Sequence, residues 1–294
     1  MMFLRSINEF VAESEMEVPG DLTEPLLPSQ PDTTTVRFCR GSRAAIPSTL
    51  RRIRRQLLYD VGNGFLLEPH VGPELGVALH INLKADCITM DCPDTRLPVA
   101  VAWAVHAGLG AATLTHGGLP LHGAGMEIEG NYIGLIADSG VGKSTLSWFL
   151  LQNGARFGND DLIPVYLRDE QPIAFPAVSL FPKLSREAVD RNGLEIADLL
   201  VADYGTNEEE YYVPLPREKR MLKPKPLVAL FLLSPVLTAP DTPKEPDEDE
   251  VTMHRLSPEE ASSIIAANLH TVWLIGKYMN QQRLFARCVD LFGE

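Results

Sequence analysis

The sequence has little cysteine, few runs without charge and a deficit of positive charge, and each shortage closes off a class of protein. Only four cysteines, Cys39, Cys87, Cys92 and Cys288, are spread over 294 residues. They form no zinc-ligand pattern. Cys87 and Cys92 fall in a strand-like run with no nearby His ligands. Reduced thiols in a cytoplasmic protein are the simpler reading. The 26 basic residues are outnumbered by 39 acidic ones, for a net charge of −13. So acidic a chain repels nucleic-acid backbones, which excludes general nucleic-acid binding, but a loop with Mg²⁺ can still hold one nucleotide. A cleaved secretory signal is not expected, because "MMFLRSINEFVAESE" has a four-residue apolar start and then charge. The one long uncharged run is "LPVAVAWAVHAGLGAATLT", residues 97–115, which carries His106. It is Ala- and Gly-rich and of weak hydrophobicity for a membrane span, so a buried helix and no membrane partner are expected.

The remaining composition supports a globular chain. The hydrophobic share is 45%, enough for a core in one large or two moderate domains. Residues 1–35 hold one Arg, seven acids and four prolines. They read as an acidic, Pro-rich, poorly ordered tail. Residues 36–115 read as a β-rich module followed by the Ala-rich helix. In it, "LLYDVGNGFLLEP" is a hairpin signal. "GVALHINLKADCITM" alternates, with Val77, Leu79, Ile81 and Leu83 on one face. "TLRRIRRQLLYD" reads as a short helix. Residues 37–55 carry seven arginines and no acid. They are either a solvated basic face paired with the protein's own acids or a dock for an acidic peptide.

Residues 116–294 form the third expected part. "GLPLHGAGMEIEGNYIGLIAD" predicts a hairpin turning at Glu129-Gly130-Asn131, and a helix follows from Lys143 to about Asn153, stopped by Gly154. Strands are expected in "FGNDDLIPVYL" and "PIAFPAVSLF". A short helix is expected in "SREAVDRNGL", capped by Ser185. "PLVALFLLS", residues 226–234, reads as a fully buried strand. An acidic, mobile loop is expected at about 235–252. Ser257, Pro258 and Glu260 then mark a helix start.

The chemistry concentrates in "ADSGVGKS", Ala137 to Ser144. This is a Walker A pattern with Ala in place of the first Gly. Small residues let backbone N–H groups close around phosphates, and the next helix aims its N-terminus at them. Ser139, Gly140, Val141, Gly142, Lys143, Ser144 and Thr145 are the nucleotide-binding candidates, with Lys143 on the terminal phosphates and the Ser144 hydroxyl on Mg²⁺. Asp160 and Asp161 follow the helix by one short connection. Adjacent residues in a strand point to opposite faces, so one Asp can reach Mg²⁺ while the other takes a proton, or one caps a turn. His122 precedes the loop by 15 residues. It is either a satisfied, semi-buried His or a neighbour that tunes an Asp.

Taken together, "LHG…GLIADSGVGKSTL…NGARFGNDD" resembles the catalytic core of the HPr kinase/phosphorylase family over residues 120–166. The likeness continues weakly through "FPAVSLFPKLSREAV" and "PREKRMLKPKPLVALFLL". The resemblance implies an α/β fold with a mixed sheet, a compact HPr kinase/phosphoenolpyruvate carboxykinase-like P-loop core. It implies Asp160 as general base towards a serine, supported by His122, and Asp161 near the metal. It implies Lys219 and Arg220, with Arg217 nearby, in a stretch that closes over the phosphates, against the equal alternative of a basic surface loop. It also implies ATP and Mg²⁺ as cofactors, and a homo-oligomer is among its known states. The family's Gly- and Ile-rich signature is absent; the matching region reads "IADLLVADYGTNEEEYY". This departure aligns the chain with a divergent branch that resembles lasso-peptide-associated kinases, which modify a Ser of a precursor peptide.

The expected function is therefore an ATP-dependent serine kinase acting on a peptide or protein. A kinase for free serine and a nucleotide-binding scaffold or sensor are the alternatives. No Asn-Lys-x-Asp run supports a GTPase, and no Leu-Ser-Gly-Gly-Gln-like run supports a transporter ATPase.

Overall fold

The computed structural model describes residues 76–138, 140–176, 181–202, 209–234 and 253–270 without a break. Before them it describes 3–7, 10–14, 24–25, 34–41, 51–52 and 57–68, and after them Ala286 and Cys288.

The first nine strands form one sheet. They are β1 (Phe3–Ile7), β2 (Phe10–Ser14), β3 (Glu24–Pro25), β4 (Thr34–Arg40), β5 (Arg51–Arg52), β6 (Leu57–Asp60), β7 (Gly64–Glu68), β8 (Ala78–Asn82) and β9 (Cys87–Asp91). Their order is β3-β1-β2-β4-β9-β8-β7-β6-β5. Period-two alternation builds the buried face: Val36 and Phe38 of β4 are buried while Arg37 between them is exposed. The predicted hairpin is β6 paired antiparallel with β7. Helix α1 (Leu97–Thr115) packs on this sheet, and Val99, Ala104, Val105 and Leu109 join Phe38, Phe65, Leu79, Ile81 and Ile88 in one core. The helix is long and apolar enough to cross a membrane, but 83% of its apolar window is buried inside the protein. A helix that is apolar all round needs cover on all sides, and the sheet supplies much of it.

Three expectations here are corrected. The expected tail contributes strands: β1 and β2 pair antiparallel, and β2 runs parallel to β4. "FLRSI" and "FVAES" carry short strand-like runs that the acidic composition overshadowed. Arg51 and Arg52 pair with Asp60 and Tyr59 as a strand instead of a helix, because strand pairing with β6 overrides local propensity. Leu83, placed on the inner face by alternation, is 42% exposed because β8 ends at Asn82 and the chain turns. Arg43, Arg54 and Arg55 lie outside the described residues, as does the expected loop at 235–252.

A second sheet contains β10 (Leu119–Leu121), β11 (Ala124–Ile128), β12 (Asn131–Ile136), β13 (Arg156–Asn159), β14 (Ile163–Arg168), β15 (Gln171–Ala174) and β19 (Lys225–Leu232), in the order β10-β14-β15-β19-β12-β11-β13. β12 and β19 are parallel and the other pairs antiparallel, so the sheet is mixed. The β11–β12 hairpin turns through Glu129 (φ 50) and Gly130 (φ 83), a left-handed pair suited to the twist of the strands. Helix α2 (Lys143–Gln152) follows β12, and Gly154 (φ 98) lies just beyond its end. A small sheet of β16 (Lys183–Ser185), β17 (Leu200–Val201) and β18 (Glu210–Tyr212), ordered β16-β18-β17, packs with α3 (Arg186–Arg191). The Ser185 hydroxyl accepts from the Ala188 N–H, the predicted cap. Helix α4 (Pro258–Ala267) opens with the predicted capping box between Ser257 and Glu260.

β19 is a strand, as expected, but not a fully buried one. Leu227 is buried, while Val228, Phe231 and Leu232 are 57%, 39% and 42% exposed. A central place in a sheet satisfies a strand's hydrogen bonds; it does not by itself cover both faces.

Candidate active site

The phosphate side of the site is built from main chain. β12 ends at the buried pair Ile136 and Ala137, and the chain then reverses through Gly140 (φ 82) and Gly142 (φ 113). Gly142 is the N-cap of α2 in the left-handed region, a conformation that would strain any larger residue. Lys143 and Ser144 therefore open the helix, with no acidic residue in its first turn to compete for an anion. Val141 N–H donates to Asp138 O (3.4 Å) and Leu146 N–H to Gly142 O (2.9 Å). Lys143 Nζ folds back along the loop and donates to the carbonyls of Ala137 and Asp138. Burial lowers its pKa, opposed by Asp161, Asp160 and Asp138, so three carboxylates face this ammonium. Val141 and Ser144 are half-buried and Thr145 is exposed; Ser139 lies outside the described residues.

The acidic side corrects an expectation. Asp160 and Asp161 do not sit in a strand with opposed side chains. They form the turn between β13 and β14, and Asp161 is left-handed (φ 64). The cause is Asn159, which is fully buried. Its side chain accepts from Tyr132 Oη (2.8 Å) and donates to Leu162 O (3.0 Å), pinning both sides of the turn. Tyr132 fits there only because two glycines make room. A Cβ at Gly125 would lie 1.7 Å from Tyr132 Oη, and one at Gly158 would lie 2.6 Å from the ring.

Both carboxylates then meet one residue, Lys183. Its main-chain N–H donates to Asp160 Oδ2 (2.9 Å), while the Asp161 N–H donates to Asp160 Oδ1 (3.1 Å). Lys183 Nζ pairs with Asp161 Oδ2 (2.9 Å) and with Glu210 Oε2 (3.2 Å) from β18. The two Asp residues end up in opposite states. Burial, then the charge of Asp161, pushes Asp160 up to about 7 against the pull of Lys183 and the two N–H donors. Burial also acts on Asp161, but Lys183, then His106 and His122, hold its carboxyl well below the usual carboxylate range. Burial opposes the Lys183 charge, yet Asp161, Glu210 and Asp160 outweigh it and raise its pKa.

His122 lies in the connection between β10 and β11. Burial lowers its pKa, and Asp161 raises it through charge and a main-chain hydrogen bond. The Gly123 N–H donates to Asp161 O (3.4 Å). His122 is therefore beside Asp161, the neighbour of the Asp160 that it was expected to support. Two further histidines stand behind it: His270 at 6.0 Å from His122 between ring centroids, and His106 of α1 at 6.3 Å from His270. Burial holds His106 near 4 and His270 near 3, so both are neutral at ordinary pH.

The structure thus brings His122, Lys143, Asp160 and Asp161 together. It places Arg220 after the short turn Arg217–Lys219, paired with Phe157 at the edge of β13, with its guanidinium 5.9 Å from the Phe181 ring. Arg217 is exposed and Lys219 half-buried. Of the arginine-rich stretch, Arg40 pairs with Asp94 and the Cys92 carbonyl, the internal pairing that the bland reading expected. Lys183, Glu210, Asn159, His106 and His270 are site residues that no motif announced. For Asn159, the "NDD" run placed the residue beside the pair; for Lys183, a lone Lys 22 positions after Asp161 gives no signal.

Ser144 and Asp161 carry hard oxygen atoms of the kind Mg²⁺ prefers, although Asp161 Oδ2 is paired with Lys183 Nζ (2.9 Å).

No protein-family profile matches the chain. It is 36% identical over 86 residues to the HPr kinase/phosphorylase of Limosilactobacillus reuteri, covering 29% of this chain and 25% of that protein. It is 32% identical over 110 residues to the HPr kinase/phosphorylase of Streptococcus agalactiae, covering 37% of this chain and 32% of that protein. A solved Hpr(Ser) kinase/phosphatase from Coxiella burnetii aligns with a TM-score of 0.22 and 17% identity, over 38% of this chain and 85% of that one. The matched part of the chain is similar in sequence to these HPr kinase/phosphorylases, and it spans about a quarter to a third of their length.

Proposed function

From an HPr kinase-like sequence folded around a phosphate loop and a paired-carboxylate turn, we propose that the protein is a cytoplasmic, ATP-dependent serine kinase. The acceptor is a seryl hydroxyl on a ribosomally made precursor peptide, of the kind tailored in lasso-peptide pathways. The observation that carries this reading is the Asp turn held by Lys183, whose N–H donates to Asp160 Oδ2 (2.9 Å) and whose Nζ pairs with Asp161 Oδ2 (2.9 Å). That leaves the two carboxyls in opposite states, Asp160 raised and Asp161 lowered, which suits transfer of a phosphoryl group to an alcohol.

Asp160 takes the proton of the seryl hydroxyl. The oxygen lone pair forms the new O–P bond as the bond from the γ-phosphorus to the β,γ-bridging oxygen breaks, and ADP leaves with that oxygen. Lys143 and the first turn of α2 hold the charge on the phosphates. Ser144 and Asp161 would hold Mg²⁺, which would neutralise part of the phosphate charge when bound. Asp161 is kept anionic by Lys183, and His122 fixes its main chain. Arg220 closes over the phosphates from the β13 side. Residues 116–294 carry this chemistry, and the β-rich part at 36–115 is free to bind the peptide. The missing Gly- and Ile-rich signature favours an acceptor other than HPr.

The test is incubation with γ-labelled ATP and Mg²⁺ and a panel of Ser-ended precursor-like peptides, free serine and HPr, with Lys143→Ala and Asp160→Asn variants alongside. Label on a peptide Ser, lost in both variants, is the expected result. Label on free serine alone moves the acceptor to a small molecule. Tight ATP binding with no transfer to any acceptor replaces the kinase with a nucleotide-binding scaffold.

A further inference from the structure

We propose that His270, at the turn leaving α4, is a positioning residue that holds His122 against the Asp pair. The turn after α4 docks on the His122 strand as a short antiparallel clamp. His122 N–H donates to Asn268 O (2.7 Å), His270 N–H donates to Pro120 O (2.7 Å), and Leu121 pairs with Leu269 between them. The clamp brackets His122 on the main chain. The side chains repeat the arrangement: the His270 ring lies 6.0 Å from the His122 ring at an interplanar angle of 30°. His106 backs His270 at 6.3 Å.

The clamp is itself anchored. Leu269 and Ile265 are buried with Leu119, Leu121 and Tyr132. Asn268 closes the helix, its side chain donating to Ile264 O (2.9 Å). Tyr132 in the same cluster donates to Asn159, which pins the Asp turn. One apolar cluster therefore fixes both the His122 clamp and the Asp160–Asp161 turn. Placing an imidazole in that wall is costly compared with an apolar side chain of similar size, and its ring lies 6.0 Å from that of His122, which is beside Asp161. The α4 turn thereby ties a segment remote in sequence to the side of the site that holds His122 and the Asp pair.

This inference rests on the kinase reading for its effect on rate, but not for its spectroscopic test. The experiment compares full-length wild type with His270→Ala and His270→Phe. It reads ATP affinity, the rate of γ-phosphate transfer, and the imidazole NMR signals of His122, assigned with a His122→Gln variant. His270→Ala is expected to lower kcat by about ten- to a hundredfold, with ATP affinity unchanged and the His122 signals displaced. His270→Phe, which keeps a ring in place, is expected to restore most of the rate and the signals. His122 signals unmoved in His270→Ala overturn the proposal, as does a parallel loss of ATP affinity and rate, which marks a general loss of structure. If wild type transfers no phosphate, the kinase reading fails, and the His122 signals alone decide the positioning role.

Discussion

The two walls of the site are made in different ways. The phosphate wall is one contiguous segment, Ala137 to Ser144, whose geometry comes from glycine backbone and a helix start. The proton wall is gathered from segments far apart: His106 from α1, His122, Asp160 and Asp161, Lys183 and Glu210 from the small sheet, and His270 after α4. In the proposed reading the first wall binds phosphate through main-chain donors and the Lys143 ammonium. The second works through buried charges that shift one another, so each member depends on its neighbours. Changes in the first wall should act on nucleotide affinity, and changes in the second on rate, pH dependence and stability.

The sharpest way to break this contrast is Asp160→Asn. It should lower the transfer rate by about 10²- to 10⁴-fold, the usual worth of a positioned base. Nucleotide affinity, measured by equilibrium binding, should stay near wild type, whereas Lys143→Ala should lose it.

Next in size is Lys183→Met. It leaves Asp161 and Glu210 without their shared cation in a site where the Lys183 side chain is only 15% exposed. Removing one partner of such a pair costs about 3 kcal/mol, to be read from denaturant unfolding. Because Lys183 lowers both Asp pKa values, its loss should also move the acid limb of the rate profile to higher pH.

Gly125→Ala tests the packing beneath the Asp turn. The added Cβ would lie 1.7 Å from Tyr132 Oη, so the ring must shift from Asn159. Overpacking of this kind costs about 1–3 kcal/mol, and the same unfolding experiment measures it.

At neutral pH the smallest effect is that of His106, which appears only as acid sensitivity. Its folded pKa, near 4, lies below the ordinary 6.5 because the ring is buried. The unfolded chain therefore takes up the proton first. The contribution to stability is complete above pH 6.5 and is lost as pH falls through 4, by about 1.4 kcal/mol per pH unit. A His106→Gln variant should lose that part of the slope.

The same contrast explains what the sequence could reveal. The phosphate loop, the hairpin before it, α2 and the caps at Ser185 and Ser257 are set by neighbours within a few residues, and they were legible. The Asp pair was legible as chemistry but not as geometry, since the turn is imposed by the side-chain bonds of Asn159 to Tyr132 and Leu162. Lys183 and His270 were not legible, because nothing local distinguishes a lone Lys or His that tertiary packing carries to the site. The exposure of β19 and the strands in residues 3–14 failed for a related reason. Composition reports what a segment contains, whereas sheet partners and face cover decide where it goes.

The most direct measurement is the pH dependence of single-turnover γ-phosphate transfer, for wild type and Asp161→Asn at saturating Mg²⁺. The wild-type rate should fall tenfold per pH unit below a midpoint near 7, where Asp160 takes up its proton. Asp161→Asn removes the neighbouring charge that raises Asp160, so its midpoint should move to lower pH. A wild-type rate that is flat from about pH 5 to 8, or a midpoint unmoved in Asp161→Asn, would contradict the assignment of Asp160 as the base.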